Sequence, residues 1–430
     1  MKQYCVISCP IDTYSGYGAR SRDFVKALYE LKKDEYEINV LPQRWGSTPW
    51  SYIKDHEEDW GFLTPLLLQG QMQKQPDIWI QITVPNEFQA VGKFNLGVTA
   101  GIETTLCHAS WLDGVNKMNL TLVSSAHAKT VFQQSSFGEK NQQGQIVREV
   151  KLEKPVEVLF EGADLTKFFP MADLDLDATD LVIALDEIKE EFCFLTFGHW
   201  LQGDLGEDRK NIGLTLKVFL ETFKNKKQKP ALILKTSGAG SSIIDRDEIL
   251  RKIDLVRDTV KGDLPNIYLL HGELDDKDVN YLYNHPKVKA MISLTKGEGF
   301  GRPLLEFSLM KKPIIASGWS GHIDFLFMEN TSLVGGQVTQ LHPSAVVKDM
   351  LLPESGWFSP DTKQAEFYLT EVFNKYNKYE EKAKKQSYQS KTKFSLEEMK
   401  NLLGLYLSKI PKQVGLTLPK LKKIELPKIN

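Results

Sequence analysis

The stretch Ser293-Leu-Thr-Lys-Gly-Glu-Gly-Phe-Gly-Arg-Pro-Leu-Leu-Glu306 decides how the rest of the chain reads. Ahead of it, the apolar run Val288 to Leu294 predicts a buried strand. Gly297, Gly299 and Gly301 then alternate through a tight turn. Pro303 follows in what reads as the first turn of a helix, where a missing N–H costs least. Strand, turn and helix in that order put the turn at the carboxyl end of a strand, where open α/β sheets bind ligands. The amides around Gly299, Phe300, Gly301 and Arg302 open the helix and suit an anion. Glu298 sits in the turn and Glu306 one helical turn into the helix, so both face one crevice. An anion cradle flanked by two hydroxyl-binding carboxylates suits a phosphorylated sugar.

The spacing of Glu298 and Glu306 resembles the E-x7-E element of retaining glycosyltransferases of the GT-B fold, particularly the large family 4. A plain strand–turn–helix unit with solvated glutamates carries the same local text. The reading therefore leans on the segments to either side.

Upstream, Tyr4-Cys-Val-Ile-Ser8 predicts a first buried strand. Tyr14-Ser-Gly-Tyr-Gly-Ala-Arg-Ser-Arg22 follows, then a helix with Phe24, Val25, Leu28 and Leu31 at helical spacing. A dinucleotide fingerprint wants a third glycine where Ser21 stands, which disfavours a nicotinamide or flavin cofactor. The Gly16-Tyr17-Gly18 loop instead resembles the first loop of family 4 enzymes, which borders the sugar–phosphate cleft. Glu37 to Leu41, Asp77 to Ile82, Leu96 to Ala100 and Leu120 to Ser124 predict further strands. Glu103 falls just past one of them, where relatives often turn an ionisable residue toward the acceptor or the transferred sugar; local pairing is the alternative. Ser125 reads as the N-cap of a helix, in a segment resembling the family's "pS-x-x-a-k-x-x-F". Val156 to Phe160, Glu161-Gly-Ala-Asp164 and Phe168-Phe-Pro170 resemble the end of its first domain. Residues 43–75 are irregular and aromatic-rich, with Trp45, Trp50, Tyr52 and Trp60, and read as either an acceptor-side lining or local packing.

Residues 171–190 are acidic and read as a linker. Beyond it, Phe192 to Phe197 predicts a strand ending in Gly198-His-Trp200, with His199 where many relatives carry Arg. Arg209-Lys-Asn-Ile212 starts a helix and resembles the family's phosphate-binding "R-K-N" text. Arg209 would clamp a diphosphate by its fork and Lys210 as a point charge. Ala231 to Lys235 and Asn266 to Leu270 predict strands, followed by Thr236-Ser237-Gly and His271-Gly272-Glu-Leu274. The second of these segments resembles the one that meets the nucleotide base through its backbone. Lys312 to Ala316 is another strand, and Asp324 stands where relatives have Glu. Thr392-Lys-Phe-Ser-Leu-Glu398 opens a terminal helix with Met399, Leu402, Leu403 and Leu405. It resembles the family helix that returns to the first domain, and Ser395 with Glu398 makes a capping box.

The resulting expectation is an α/β chain of the GT-B type, with two facing Rossmann-like domains of parallel sheet. Residues 1–180 form the acceptor side and 190–385 the donor side. Residues 386–410 form the returning helix and 411–430 a basic Pro/Lys tail. Composition is that of a globular protein, 41% hydrophobic and 26% charged. Four scattered cysteines make neither a disulfide framework nor a metal cluster. With no leader-like segment and no apolar run long enough for a bilayer, the expected setting is cytoplasmic, with peripheral membrane association open. Residues 375–430 hold 14 lysines and 5 glutamates, a net +9 against −2 for the whole chain. That tail is compatible with weak nucleic-acid or membrane contact, or with a solvated helix face.

The resemblance implies transfer of a sugar from a UDP- or GDP-type nucleotide sugar to an acceptor hydroxyl, with retention. It implies no cofactor and no metal. Glu298, Glu103, Arg209 and Lys210 are the candidate catalytic residues. Gly16, Tyr17, Gly18, His199, Ser237, Gly272, Leu274, Gly299, Phe300, Gly301, Arg302 and Glu306 are the candidates for donor binding. Glu298 would take the sugar hydroxyls and Glu306 the ribose. A non-catalytic nucleotide-sugar binder, an epimerase and a phosphorylase stay open as alternatives. The acceptor, whether glycan, lipid-linked, protein or modified nucleic acid, is not legible.

Overall fold

Two six-stranded sheets, parallel throughout, carry the chain. The computed structural model describes residues 2–141, 143–171, 179–203, 205–238, 240 and 242–411. The first sheet contains β1 (Gln3–Cys9), β2 (Tyr36–Pro42), β3 (Ile78–Ile82), β4 (Phe94–Thr99) and β5 (Leu120–Val123). A short antiparallel hairpin follows, β6 (Ser136–Lys140) with β7 (Ile146–Lys151), before β8 (Val156–Val158) completes the sheet in the order β2-β1-β3-β4-β5-β8. The second sheet contains β9 (Cys193–Phe197), β10 (Ala231–Lys235), β11 (Ile267–Leu270), β12 (Val288–Ser293), β13 (Ile314–Ser317) and β14 (Ser332–Val334). Its order is β11-β10-β9-β12-β13-β14. A second hairpin, β15 (Gly336–Gln340) with β16 (Gly356–Pro360), stands apart from it.

The central strands are largely apolar and buried along their length, as parallel strands covered by helices on both faces are. In the first half the helices are α1 (Gly16–Lys32), the single turns α2 (Tyr52–Asp55) and α3 (Glu57–Trp60), α4 (Ala109–Asn116) and α5 (Ala126–Gln134). The second half has α6 (Asp180–Asp186), α7 (Ile212–Phe223), α8 (Ile243–Asp258), α9 (Asp276–Asn284) and α10 (Arg302–Ser308). It continues with α11 (Thr362–Asn374), α12 (Tyr376–Lys393) and α13 (Leu396–Leu407). Ser125 caps α5 by accepting from Ala128 N, and Ser395 caps α13 by accepting from Glu398 N at 3.2 Å.

The acidic segment read as a linker contains α6, whose Leu181 and Leu185 are buried in the second half's core. Residues 172–178 of that segment lie outside the described residues. The chain crosses back at Phe394. On the near side Gln386, Ser387 and Ser390 bond to the second half at Phe325, Leu309 and Ser308. On the far side Met399, Leu403 and Leu407 join the first half's core beside Phe24 and Leu28. Leu405, read from the sequence as part of that apolar face, is exposed. All four cysteines are free and buried. Among the described residues no helix is long and apolar enough to cross a membrane. The tail, residues 412–430, lies outside the described residues.

Candidate active site

The carboxyl ends of the two sheets face each other, and the site is assembled from the loops that leave them. Between β12 and α10 runs the glycine turn. Its conformation is set from two sides. Ser320 Oγ accepts from Glu298 N at 2.9 Å, and Gly321 N donates to Glu298 O at 2.9 Å, so the turn after β13 holds the turn after β12. From the other half, residues 100–103 press against it. A Cβ on Gly299 would stand 2.7 Å from Ala100 O, and one on Gly297 would fall inside the radius of Glu103 O. Ser124 Oγ also donates to Gly299 O at 3.0 Å. The glycines here allow the two halves to close on each other. Gly301 has a different reason: it caps α10 at φ 98°, a left-handed conformation costly for any side chain.

Glu298 ends up 6% exposed, with cations around it. Lys210 Nζ lies 2.6 Å from both of its carboxylate oxygens, and Arg209 Nη1 3.7 Å from Oε2. Arg209 reaches them from the loop before α7, where it also donates to Gly297 O at 3.2 Å and pairs with Glu103 at 3.5 Å. Burial pushes the Glu298 carboxyl upward, but Lys210 and Arg209 outweigh burial and hold it below the usual carboxylate range. Burial lowers Lys210, and Glu298 opposes it. Arg209 is lowered by burial and raised further by Glu103 and Glu298. All four candidate catalytic residues thus meet in one buried charge chain that crosses the cleft. Such a chain is tolerable only because each charge has a partner.

The donor candidates divide into two groups. Gly16, His199, Leu274 and Arg302 line a single cavity of about 510 Å³ between the halves. His199 Nδ1 sits 3.1 Å from Ser237 Oγ, and burial together with Lys210 keeps the imidazole neutral by lowering its pKa. Gly272 O accepts from Lys235 Nζ at 2.5 Å, which ties the turn after β11 to β10. Arg302 joins the halves, with Nη1 2.8 Å from Asp23 Oδ2 on α1 and Nε 3.0 Å from Glu306 Oε1. Burial lifts the Glu306 carboxyl to about 7 against the pull of Arg302.

The other group supports the site without lining that cavity. Tyr17 hydroxyl bonds Thr99 Oγ1 at 3.0 Å and accepts from Ala100 N at 3.1 Å, and its ring stacks on Trp45 at 4.0 Å. It ties the first loop to the end of β4, and burial pushes its phenol up to about 12. Gly18 is required by packing, since a Cβ there would collide with Thr13 O. Phe300 points into the second half's core against Phe325. Asp324 accepts from Ala126 N at 2.8 Å, which bonds the turn after β13 to the first turn of α5 across the cleft.

Several cavity neighbours were not singled out from the sequence, while Tyr52 and Trp60 read there as either acceptor-side lining or local packing. Asp23 on α1, Lys167 with Asp276 at 2.7 Å, and the rings of Tyr52, His56 and Trp60 all border the cavity. The aromatic insert therefore stands over the same space as His199 and Leu274. Its position is set by contacts made over long sequence separations. A signal did exist for α1: Arg20, Arg22 and Asp23 are three charges in a helix that must be buried for its apolar residues to pack. Among the described residues no cluster of three or more His, Cys, Asp or Glu is placed to hold a metal ion.

No protein-family model and no curated protein sequence matches the chain. Solved structures do match over nearly the full length. HepE from Anabaena, in complex with UDP and glucose, is 12% identical. The match covers 94% of this chain and 99% of that one, with a TM-score of 0.63. A glycosyltransferase from Rickettsia africae is 14% identical over 95% and 98% of the two chains, with a TM-score of 0.61. Sucrose-phosphate synthase from Thermosynechococcus elongatus is 13% identical over 95% and 98%, with a TM-score of 0.60. At such identities what is shared is the fold, and the fold of this chain is GT-B: two facing Rossmann-like halves joined by a helix that returns to the first.

Proposed function

We propose that the protein is a retaining, metal-independent glycosyltransferase that moves a sugar from a nucleoside diphosphate sugar to an acceptor hydroxyl. The observation that carries this reading is the clamp of Arg209 and Lys210 on the carboxylate of Glu298, set where both sheets present their carboxyl ends. An anion already sits between the two cations, and a donor diphosphate is the stronger ligand for that place.

The chemistry follows from charge. As the bond from the anomeric carbon to the phosphate oxygen breaks, its electron pair goes to the diphosphate. Lys210, Arg209 and the amides at Phe300 and Gly301 meet that charge in a site from which water is largely excluded. The acceptor oxygen forms the new bond on the same face, and its proton passes to the departing diphosphate. Glu298, released from Lys210, takes hydroxyls of the transferred sugar, and Glu306 those of the ribose. Glu298 or Glu103 provides the negative charge beside the sugar ring as it becomes cationic. The similar fold crystallised with UDP and glucose makes UDP-glucose the first donor to try.

Slow hydrolysis of UDP- and GDP-sugars by the purified protein, followed by nucleoside diphosphate release, tests the reading. Release by wild type and its loss in Lys210→Ala is the expected result. Nucleotide-sugar binding with no turnover toward water or any acceptor would instead leave a binding protein.

A further inference from the structure

The Gly16 loop and the aromatic insert form one unit. Ile53 N donates to Asp12 Oδ1 at 2.7 Å, and Tyr14 N donates to Pro49 O at 3.1 Å. Arg22 donates to Ile11 O at 2.9 Å and Thr13 O at 3.0 Å, which fixes its guanidinium. That guanidinium lies 3.3 Å from the centre of the Tyr52 ring. His56 lies parallel to the same ring, 4.1 Å away with an interplanar angle of 13°. His56 Nδ1 is held 3.0 Å from Tyr52 O. The result is a three-layer stack with His56 at its end, and Arg22, Tyr52 and His56 all border the cavity shared with His199 and Leu274.

A flat, preorganised stack that ends at a cavity wall is a surface for another flat ring. Offset stacking and cation–π contacts add to what simple burial supplies, and little side-chain freedom is lost because the plate is already held. From the second half, Leu274 and Phe197 add apolar surface to the same cavity. The cavity, at about 510 Å³, is within the range of small-molecule sites.

Resting on the reading that a nucleoside diphosphate sugar occupies this cleft, we propose that His56 is the plate on which the donor's nucleobase stacks. The base is then enclosed by both halves. The second half holds the diphosphate through Arg209 and Lys210, and the first supplies the aromatic face. Recognition of the base and closure of the cleft become one event.

Titration calorimetry with UDP, GDP, ADP and dTDP on the full chain tests this, using wild type, His56→Leu and His56→Phe, each with its melting temperature. His56→Leu keeps bulk and removes the π face, whereas His56→Phe keeps both. The expected result is about tenfold weaker binding for His56→Leu, roughly 1.4 kcal/mol, with His56→Phe within about twofold of wild type. Unchanged binding in His56→Leu overturns the proposal, as does equal loss in both variants. Binding is measured well below the lowest of the three melting temperatures, so that a loss confined to His56→Leu reports the ring face and not unfolding. Failure of wild type to bind any of the four nucleotides removes the donor-site reading itself.

Discussion

Both carboxylate oxygens of Glu298 lie 2.6 Å from Lys210 Nζ, so the protein's own carboxylate occupies the place proposed for the donor diphosphate. A nucleoside diphosphate has to displace it. Glu298→Gln removes the competing charge while keeping the shape. It is expected to bind UDP severalfold more tightly and to turn over donor sugar at least tenfold more slowly, since the hydroxyl-accepting group is weakened. Lys210→Ala leaves Glu298 buried with only Arg209 near it, and breaking such a pair costs about 3–5 kcal/mol. A large fall in melting temperature together with lost UDP binding checks this.

Gly297 and Gly16 should respond differently to alanine. A Cβ on Gly297 overlaps Glu103 O, so Gly297→Ala pushes the halves apart. Turnover should be lost and the radius of gyration in solution scattering should rise. No atom lies within 4 Å of a Cβ on Gly16, so Gly16→Ala should melt as wild type does. A donor whose phosphates approach that loop should nevertheless bind more weakly, because close backbone approach needs the missing side chain.

Glu306 carries a pH dependence whose sign follows from its environment. Burial raises its pKa from 4.5 to about 7 in the folded protein. Below 4.5 it is protonated in folded and unfolded chains alike. Between 4.5 and about 7 the unfolded chain ionises it while the folded chain keeps the proton, so stability falls as pH rises through that window. Above it both states are ionised and the slope vanishes. Glu306→Gln abolishes this component. Its melting temperature relative to wild type is therefore expected to improve from pH 5 to pH 7.5 and to level off above.

Arg302 and Asp23 form the ion pair that joins α10 to α1, at 2.8 Å. Arg302→Met removes the ion-pair partner of both Asp23 and Glu306, leaving Asp23 the weaker pull of Arg20 and Arg22, and Asp23→Asn leaves Arg302 paired with Glu306. Each should destabilise the protein, the Arg302 variant more. The double variant should lose less than the sum, by about 0.5–3 kcal/mol for residues in contact. Urea unfolding of the four proteins measures that coupling.

The strands could be anticipated because periodicity is local. Val288 to Leu294, Phe192 to Phe197 and Tyr4 to Ser8 are mostly apolar, broken only by Lys289, Ser293, Thr196 and Ser8, as suits a strand covered on both faces. Helix starts at Ser125 and Ser395 were readable for the same reason, since a cap acts within three residues. The two hairpins were not legible. β15–β16 reaches the first half through Thr105 N on Gly356 O at 2.9 Å, a pairing across about 250 residues that no window of sequence contains.

By itself the sequence determined the alternation of strand and helix, the glycine turn at Glu298, and the neighbouring cations Arg209 and Lys210 that point to an anion. Each is a property of residues close together in the chain. Only the tertiary structure decided that Glu298 lies between those two cations, that Arg302 reaches Asp23, and that the insert carrying Tyr52 and His56 faces Leu274. These relationships depend on how two independently wound sheets meet. Buried charges and stacked rings select their partners across the cleft only once water has been excluded from it.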